Sequence, residues 1–529
     1  MTAFEHAAWR HLAIGEPQTE RLAELVAEIV GAGDLVTLSG DLGAGKTTFA
    51  RALIRRLVDD PTLEAPSPTF TLMQVYDGPK FPIVHADLYR IANPAELAEL
   101  GWEEATESAL VVVEWAERAG DLLPADRLDV ALVASPDGED VREIALTGYG
   151  AMAARLARAR GADAILRRSG WDRARRLFMQ GDASSRAYER LERPDGDSAI
   201  LMISPPKPDG PPVRFGKPYS AIARLAETIR PFVAMDEALR AVGLSAPRLL
   251  AADLEGGFAV LEDFGRETIV DADGPIRERY MTSVALLADL HARALPDTAP
   301  VPNGAAREAG PGAANADDAT APDVYVIPPY DLEALSIETE LLVDWYVPHI
   351  AKAQIASGHR ASFVNLWRHA LSEIVAAPPT WTLRDYHSPN LMWLAERQGL
   401  ARVGLLDFQD CVMGHPAYDV VSLAQDARVT VSDELELRLL SHYAHLRREK
   451  DPAFDMAAFA RAYALLGAQR ATKILGIFAR LDRRDHKPQY LAHVPRVRRY
   501  LRKNLAHPAL EAVRAWHAAH TPRLLSDEA

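Results

Sequence analysis

Apolar residues return at helical spacing from Gln18 to Val30, where Leu22, Leu25, Val26 and Ile29 share one face. The pattern predicts an amphipathic helix, ended by Gly31-Ala32-Gly33-Asp34. The rhythm then changes. Leu35-Val36-Thr37-Leu38 is a short continuous apolar run that reads as a buried strand, and it leads into a glycine-rich turn at Gly40. Helical spacing resumes from Thr47 to Val58. Ile83-Val84-His85-Ala86-Asp87 and Leu110-Val111-Val112-Val113-Glu114 read as two further buried strands. Strands alternating with helices predict an α/β sheet with crossovers, a regime that fades near Gly148-Tyr149-Gly150.

The second half follows another pattern. Ala151 to Arg168 is rich in Ala and Arg and predicts a helical linker, or the first helix of the next unit. From Trp171 onward, Tyr188 to Glu192, Ala199 to Ile203 and Phe258 to Leu261 read as strands of a small sheet. Helical patterns follow at Met281 to Ala294, Ile337 to Ile350 and Phe363 to Ala376. Pro296 to Ala321 has almost no large apolar residue and predicts a mobile loop or disordered insertion. The organisation expected is a first domain at 1–150, a helical linker at 151–170 and a second domain at 171–529.

Composition narrows this further. With 529 residues, 48% hydrophobic and 25% charged, the chain has the make-up of a soluble globular protein of two or three domains. A net charge of -15 argues against generic adhesion to nucleic acid or anionic membrane. The single cysteine, Cys411, excludes an internal disulfide and suits a reducing cytoplasm. Met1 to Arg10 has no apolar core of a secretory signal, and no run approaches the ~18 apolar residues of a membrane span.

The chemistry lies in two separate motifs. Gly40-Asp41-Leu42-Gly43-Ala44-Gly45-Lys46-Thr47 is a full G-x-x-x-x-G-K-[ST] loop, between a strand and a helix as that motif requires. Its glycines let backbone N–H groups turn inward around phosphate oxygens, and the helix after it adds its positive end. Lys46 would reach the β- and γ-phosphates of ATP, and the Thr47 hydroxyl would coordinate Mg²⁺. A carboxylate partner for the ion should end a neighbouring buried strand. Glu114 has that position and Asp87 is a second candidate, although a single strand-end carboxylate is more often structural.

Four strings here, Gly40 to Thr48, Ser67-Pro68-Thr69-Phe70, His85-Ala86-Asp87-Leu88-Tyr89-Arg90 and Glu114-Trp115-Ala116-Glu117-Arg118, resemble the TsaE (YjeE) family. These are small ATPases of bacterial tRNA threonylcarbamoyladenosine synthesis. The resemblance implies a P-loop NTPase fold and ATP hydrolysis coupled to TsaD and TsaB partners, with tRNA engaged only indirectly. It also implies Gly40, Asp41, Gly43, Ala44, Gly45, Lys46, Thr47, Thr48 and Trp115 near the nucleotide. Thr47 and Glu114 would sit near Mg²⁺ and Asp87 near the γ-phosphate, with Ser67 to Phe70 as a switch-like loop.

The second motif is Asp385-Tyr386-His387-Ser388-Pro389-Asn390, followed by Asp407 at the end of a strand read as Ala401 to Leu406. Phosphoryl transfer to a hydroxyl needs a carboxylate facing that hydroxyl and metal ligands facing the ATP phosphates. Asp385 suits the first role, Asn390 and Asp407 the second. A strand-rich portion followed by a helix-rich one is the order of a two-lobed α+β kinase.

The stretch from Trp171 to Trp516 resembles the aminoglycoside phosphotransferase superfamily, and within it the AmgK kinases of N-acetylmuramate and N-acetylglucosamine. The strings are Gly181-Asp182-Ala183-Ser184-Ser185-Arg186, Leu261-Glu262-Asp263-Phe264-Gly265, Arg384 to Met392, Leu406-Asp407-Phe408-Gln409-Asp410 and Tyr418-Asp419. The resemblance implies a cytoplasmic sugar 1-kinase. Glu262 and Phe264 would lie in a hinge beside adenine, Arg186 in the nucleotide loop, and Asp419 would support the catalytic loop. Two departures stand out. Leu383 occupies the place of a common His, and the strand Ala199-Ile200-Leu201-Met202 lacks the usual phosphate-pairing lysine. Lys207 and Arg186 are possible replacements. Asp236 and Glu237 are candidate helix-borne partners, at least one of them expected to be a solvated helix charge.

Between Ala468 and Lys503 there are eleven Lys/Arg against two acidic residues. Arg470 and Lys473, at i and i+3, could face an acidic acceptor; a basic solvent face on the C-terminal helices is the favoured expectation. Trp345, Tyr346, Ile477 and Phe478 could stack on a sugar or pack in the core. The histidines form no close-spaced ligand set, so no zinc site is expected. One alternative assigns the kinase another small alcohol, such as an aminoglycoside or choline. In another, the first domain is a nucleotide-dependent interaction module.

Overall fold

The computed structural model describes residues 6–93, 96, 102, 107–136, 138, 140–179, 186–206, 210–302 and 323–526. The chain forms two compact units, Met1–Ala164 and Ile165–Ala529. The insertion expected at 296–321 lies mostly outside the described residues, as do Gly181 to Ser185 and Lys207.

In the first unit the alternation of apolar runs produces β1 (His6–Ile14), α1 (Gly15–Ala27), β2 (Leu35–Ser39), α2 (Lys46–Val58), β3 (Met73–Asp77), β4 (Pro82–Asp87), β5 (Leu110–Glu114), β6 (Arg127–Ala134) and β7 (Val141–Tyr149). They build one seven-stranded sheet in the order β1-β7-β6-β2-β5-β4-β3. The central strands β6, β2, β5 and β4 are parallel; the outer pairings are antiparallel. β2, β4 and β5 are apolar on both faces because both faces are covered. Leu22, Val26, Phe49 and Leu53 pack with Val36, Leu38 and Val112 in one core, while Val84, Val113 and Ala119 pack with Leu35 in another. Register pairs Leu38 with Glu114 and Glu114 with Asp87, so the strand-end carboxylates and the turn after β2 share the carboxyl edge of the parallel strands.

Helix α1 starts three residues before its expected first residue and ends at Ala27; Glu28, Ile29 and Val30 form a closing turn onto Leu25 and Val26 carbonyls. The segment Ala151–Arg168 forms one helix, α3.

The second unit opens with an antiparallel sheet. Its strands β8 (Arg175–Met179), β9 (Ala187–Glu192), β10 (Ser198–Ile203), β11 (Leu249–Asp253) and β12 (Phe258–Glu262) run in the order β11-β12-β10-β9-β8. Helix α4 (Arg230–Ala241) packs Phe232, Val233 and Met235 into the same core as Met202 and Leu261. The helical part contains α5 (Arg277–Leu290), α6 (Leu332–Leu341), α7 (Ser357–Ala376), α8 (Ala417–Ala424), α9 (Asp433–Lys450), α10 (Met456–Arg483) and α11 (Val494–Leu505).

Two expectations need correction and a third is refined. The helix expected at Ile337 to Ile350 runs without interruption from Leu332 to His349: α6, capped by Asp331, passes through a wider π-type turn at Leu342–Tyr346 into a last helical turn ending at His349. Pro348 offers no N–H to the carbonyl one turn back. Gly476 of α10 packs against Leu341 so closely that an added Cβ would overlap its backbone. The supposed loop after Pro296 contains a strand, Thr298–Pro300, paired antiparallel with Val324–Val326. The strand before Asp407 is shortened to Val403–Leu405 by a 3₁₀ turn at Gly399–Arg402. Among the described residues, no helix is long and apolar enough to cross a membrane.

Candidate functional sites

In the first unit, β2 ends where the glycine-rich turn begins. Gly40 has φ 135°, and an added Cβ would overlap the Leu132 carbonyl oxygen. Gly43 and Gly45 also take positive φ, 82° and 102°, backbone that L side chains resist. Gly45 caps α2 without any side-chain hydrogen bond, and Thr47 and Thr48 stand in the helix's first turn. Asp41 and Leu42 are exposed at the tip while Ala44 is buried beneath it. These features leave inward N–H groups and a positive helix end for a phosphate.

Lys46 is 5% exposed. Its Nζ donates to the Gly40 and Asp41 carbonyls at 2.7 and 3.0 Å and lies 3.9 Å from the Trp115 ring centre. The lysine is thus folded back over its own loop. Thr47 Oγ1 donates to Glu114, 3.0 and 3.1 Å from its two carboxylate oxygens. Glu114 also meets His85 Nε2 at 3.1 Å, both side chains being buried. Asp87 Oδ2 accepts from Ser67 and, at 2.7 Å, from Thr69; Oδ1 accepts the Tyr89 N–H at 2.9 Å. Of the two candidate carboxylates, Glu114 alone bonds to Thr47, whereas Asp87 ties the Ser67 to Phe70 segment to β4. The sequence reading assigned no role to His85. Its place one strand over from Glu114 follows from the β4–β5 register, which motif spacing does not encode.

The second unit contains a cavity of about 600 Å³ lined by Asp385, Asn390, Asp407, Arg186, Glu262 and Phe264 among others. Arg186 and Asp407, 221 positions apart in the chain, meet there because the Asp385–Asn390 turn and the small sheet face the same space. Asp419, at the start of α8, accepts the Leu383 and Arg384 N–H groups at 2.7 and 2.8 Å. Asp426 accepts the Ser388 N–H at 2.8 Å. The turn is thereby clamped from behind at both ends. Asn390 Nδ2 donates to the Asp385 carbonyl at 2.9 Å, leaving its amide oxygen as an acceptor. Leu406 N–H donates to the Asn390 carbonyl at 2.9 Å, which ties Asp407 to the turn.

Burial alone would push the Asp385 carboxyl up, but His387, Lys473, Arg470 and Arg384 together hold it below the ordinary carboxylate value. Asp407 is the opposite case. Its enclosure by the cavity walls and the charge of Asp385 push it up to about 6, against the lowering influence of Arg186. Arg186 Nη1 lies 3.2 Å from Asp407 Oδ1, and Gln409 Nε2 donates to the same oxygen at 2.9 Å. Two carboxylates in one cavity with divergent proton affinities mark a candidate functional site.

The hinge segment is fixed by an arginine that sequence reading did not single out. Arg190 of β9 pairs with Asp263 at 2.8 Å and donates to the Gly265 carbonyl at 3.1 Å. Phe264 faces the cavity, but the Glu262 carboxylate is held by Arg397 at 2.7 Å and the Arg248 N–H at 3.0 Å. Glu262 therefore offers a ligand its backbone rather than its charge. Ile200 lines the cavity on the strand without a lysine.

One charge expectation is overturned. Arg470 and Lys473 are buried cavity-wall residues, 5% and 8% exposed, not parts of a solvent face. For Lys473 the reason is Glu338, fully buried on α6, which binds its Nζ at 2.7 Å and also pairs with Arg384. Tyr330 and Gln469 donate to the same carboxylate at 2.5 and 2.9 Å. Of the pair Asp236 and Glu237, Asp236 is fully buried, neither of its carboxyl oxygens has a hydrogen-bond partner, and burial pushes it up to about 8, while Glu237 is half-buried. Ile477 and Phe478 line the cavity, whereas Tyr346 belongs to the core and Trp345 packs against it.

Residues 15–144 match the family described as threonylcarbamoyl adenosine biosynthesis protein TsaE, and residues 176–459 match the phosphotransferase enzyme family. Over 371 residues the chain is 38% identical to an N-acetylmuramate/N-acetylglucosamine kinase of Caulobacter vibrioides, covering 68% of this chain and 95% of that protein. A Pseudomonas aeruginosa protein of the same name is 32% identical over 329 residues, with 61% and 82% covered. The tRNA threonylcarbamoyladenosine biosynthesis protein TsaE of Rickettsia prowazekii is 43% identical over 122 residues, covering 23% of this chain and 84% of that protein. The chain is therefore a fused enzyme that belongs to two families, the TsaE family through its first unit and the phosphotransferase enzyme family through its second.

Proposed function

We propose that the chain joins an ATPase supporting threonylcarbamoyladenosine modification of tRNA to an ATP-dependent kinase of N-acetylmuramate and N-acetylglucosamine acting on the anomeric hydroxyl. The reading is carried by one observation. Each unit holds its own phosphate-handling set, Lys46-Thr47-Glu114 in the first and Asp385-Asn390-Asp407 in the second, on unrelated scaffolds.

In the second unit Asp385 is charged at neutral pH. It accepts a hydrogen bond from the sugar hydroxyl and takes its proton. The hydroxyl oxygen bonds to the γ-phosphorus, and the bond from that phosphorus to the bridging oxygen breaks. Phe264 and Ile200 give adenine an apolar slot, and Arg186 is the cation nearest the phosphate-facing carboxylate. A bound magnesium ion would neutralise charge on the transferring phosphoryl group. Asp407 with the Asn390 amide oxygen, and Glu114 with the Thr47 hydroxyl, are hard oxygen donors that suit it. The wall beside Asp385 carries Arg470, Lys473 and Arg428, which disfavours a cationic aminoglycoside or choline.

In the first unit Lys46 must leave its own loop carbonyls to reach phosphate, and Ser67 and Thr69 couple the segment around Phe70 to Asp87. Phe70 is 83% exposed, which suits a nucleotide-dependent contact with TsaD- and TsaB-like proteins. The test is twofold. The intact chain with labelled ATP should phosphorylate both sugars, with the phosphate on C1 by NMR. Its ATP hydrolysis should rise when a TsaD–TsaB complex is added. Phosphorylation of cationic alcohols alone, or hydrolysis indifferent to that complex, would contradict the respective half.

A further inference from the structure

Arg470 differs from the buried cations nearest it, Lys473 and Arg384. It sits on α10 one turn before Lys473, so the two share a helix face. Lys473 and Arg384 both pair with Glu338. Arg470 is equally buried, yet it makes no ion pair among the described residues, and its Nε has no hydrogen-bond partner. Its guanidinium lies 5.5 Å from the Tyr418 ring centre. Tyr418 is the first group it feels; the carboxylates Asp385 and Asp426 act on it at longer range, as does His387.

A guanidinium taken out of water without a contact counter-ion is costly unless a ligand supplies one. Its fork of donors suits a carboxylate or phosphate held in two places. The side of the cavity decides between them. Arg470 acts on Asp385, the residue facing the acceptor hydroxyl, while Arg186 is the leading cation at Asp407, on the nucleotide side.

We propose that Arg470 is a specificity-determining residue that binds an acidic group on the acceptor sugar, the carboxylate that separates a muramic-type sugar from its neutral analogue. This rests on the sugar-kinase reading above. Loss of one charge-assisted contact of this kind corresponds to roughly a tenfold to hundredfold change in kcat/KM.

The experiment uses the full chain, saturating ATP and both sugars. Arg470→Gln should lower kcat/KM for N-acetylmuramate roughly tenfold or more beyond its effect on N-acetylglucosamine, with KM for ATP unchanged. On the unaltered chain, the methyl ester of N-acetylmuramate should lose the same advantage, a measurement that needs no variant to fold. Equal losses with both sugars, a raised KM for ATP, or an ester as good as the acid would each overturn the assignment to the acceptor carboxylate. If the unaltered chain phosphorylates neither sugar, the sugar-kinase reading fails and this inference with it.

Discussion

Arg186 and Asp407, 221 positions apart, meet at 3.2 Å in the cavity of the second unit. The arginine side chain is 7% exposed and the carboxylate 36%, so the pair is anchored from the arginine side and open on the aspartate side. Asp407 is pushed up to about 6 by enclosure and by Asp385, with Arg186 opposing. A carboxylate must be ionised to bind a metal ion. Kinase kcat/KM is therefore expected to fall as pH drops through about 6. Arg186→Gln removes the opposing cation and should move this acid limb to higher pH. A pH profile in which the limb stays put would mean that another group sets it.

The two phosphate sites share no residue. Asp385→Asn keeps the shape of the turn but removes the proton acceptor. It should reduce sugar phosphorylation roughly a hundredfold to ten-thousandfold. Lys46→Ala should leave that reaction within about twofold while removing ATP turnover by the first unit. Measuring both activities on both variants checks the separation; a sugar-kinase collapse in Lys46→Ala with folding intact would refute it.

Glu338 carries two buried cations, Arg384 and Lys473, and receives Tyr330 and Gln469 as well. Glu338→Gln leaves both cations without their counter-charge. The expected loss is about 3–5 kcal/mol, read as a lower denaturant midpoint for the kinase unit. Burial raises the Glu338 carboxyl, yet Lys473 and Arg384 win and hold it below its ordinary value. A group depressed on folding stabilises the fold above its unfolded pKa and loses that contribution as pH falls through the folded one. The variant should therefore lose less stability on acidification than the parent. Parallel acid-denaturation curves for the two would argue against this network.

Both folds, and the two motifs around which the candidate sites are built, were legible because their signals are local. A glycine loop between a strand and a helix, or an Asp five residues before an Asn, is fixed by the backbone geometry the chemistry needs. The fate of charges was not legible. Arg470 and Lys473 look like any basic pair on a helix, and only Glu338, 135 positions before Lys473, explains why Lys473 turns inward. Asp236 sits in a helix with ordinary neighbours in sequence, and its burial comes from packing of α4 on the small sheet. The His85–Glu114 contact depends on β4–β5 register. The widening of the helix after Leu341 into a π turn reflects Pro348 together with the close approach of Gly476.

Gly40 tests the first site most directly, because its requirement is steric and independent of charge. Its φ of 135° is open to glycine, and an added methyl group would overlap the Leu132 carbonyl oxygen, a backbone atom of a central strand. That oxygen cannot rotate away as a side chain would, so the loop must shift. The shift would displace the carbonyl that now receives Lys46 Nζ at 2.7 Å. Gly40→Ala should therefore abolish nucleotide binding by the first unit and leave sugar phosphorylation in place. Calorimetric titration with a non-hydrolysable ATP analogue and magnesium should give two nucleotides per parent chain and one per variant chain. Two bound nucleotides in the variant would show that the turn tolerates the methyl group, and that the strained glycine is not what shapes the phosphate cradle.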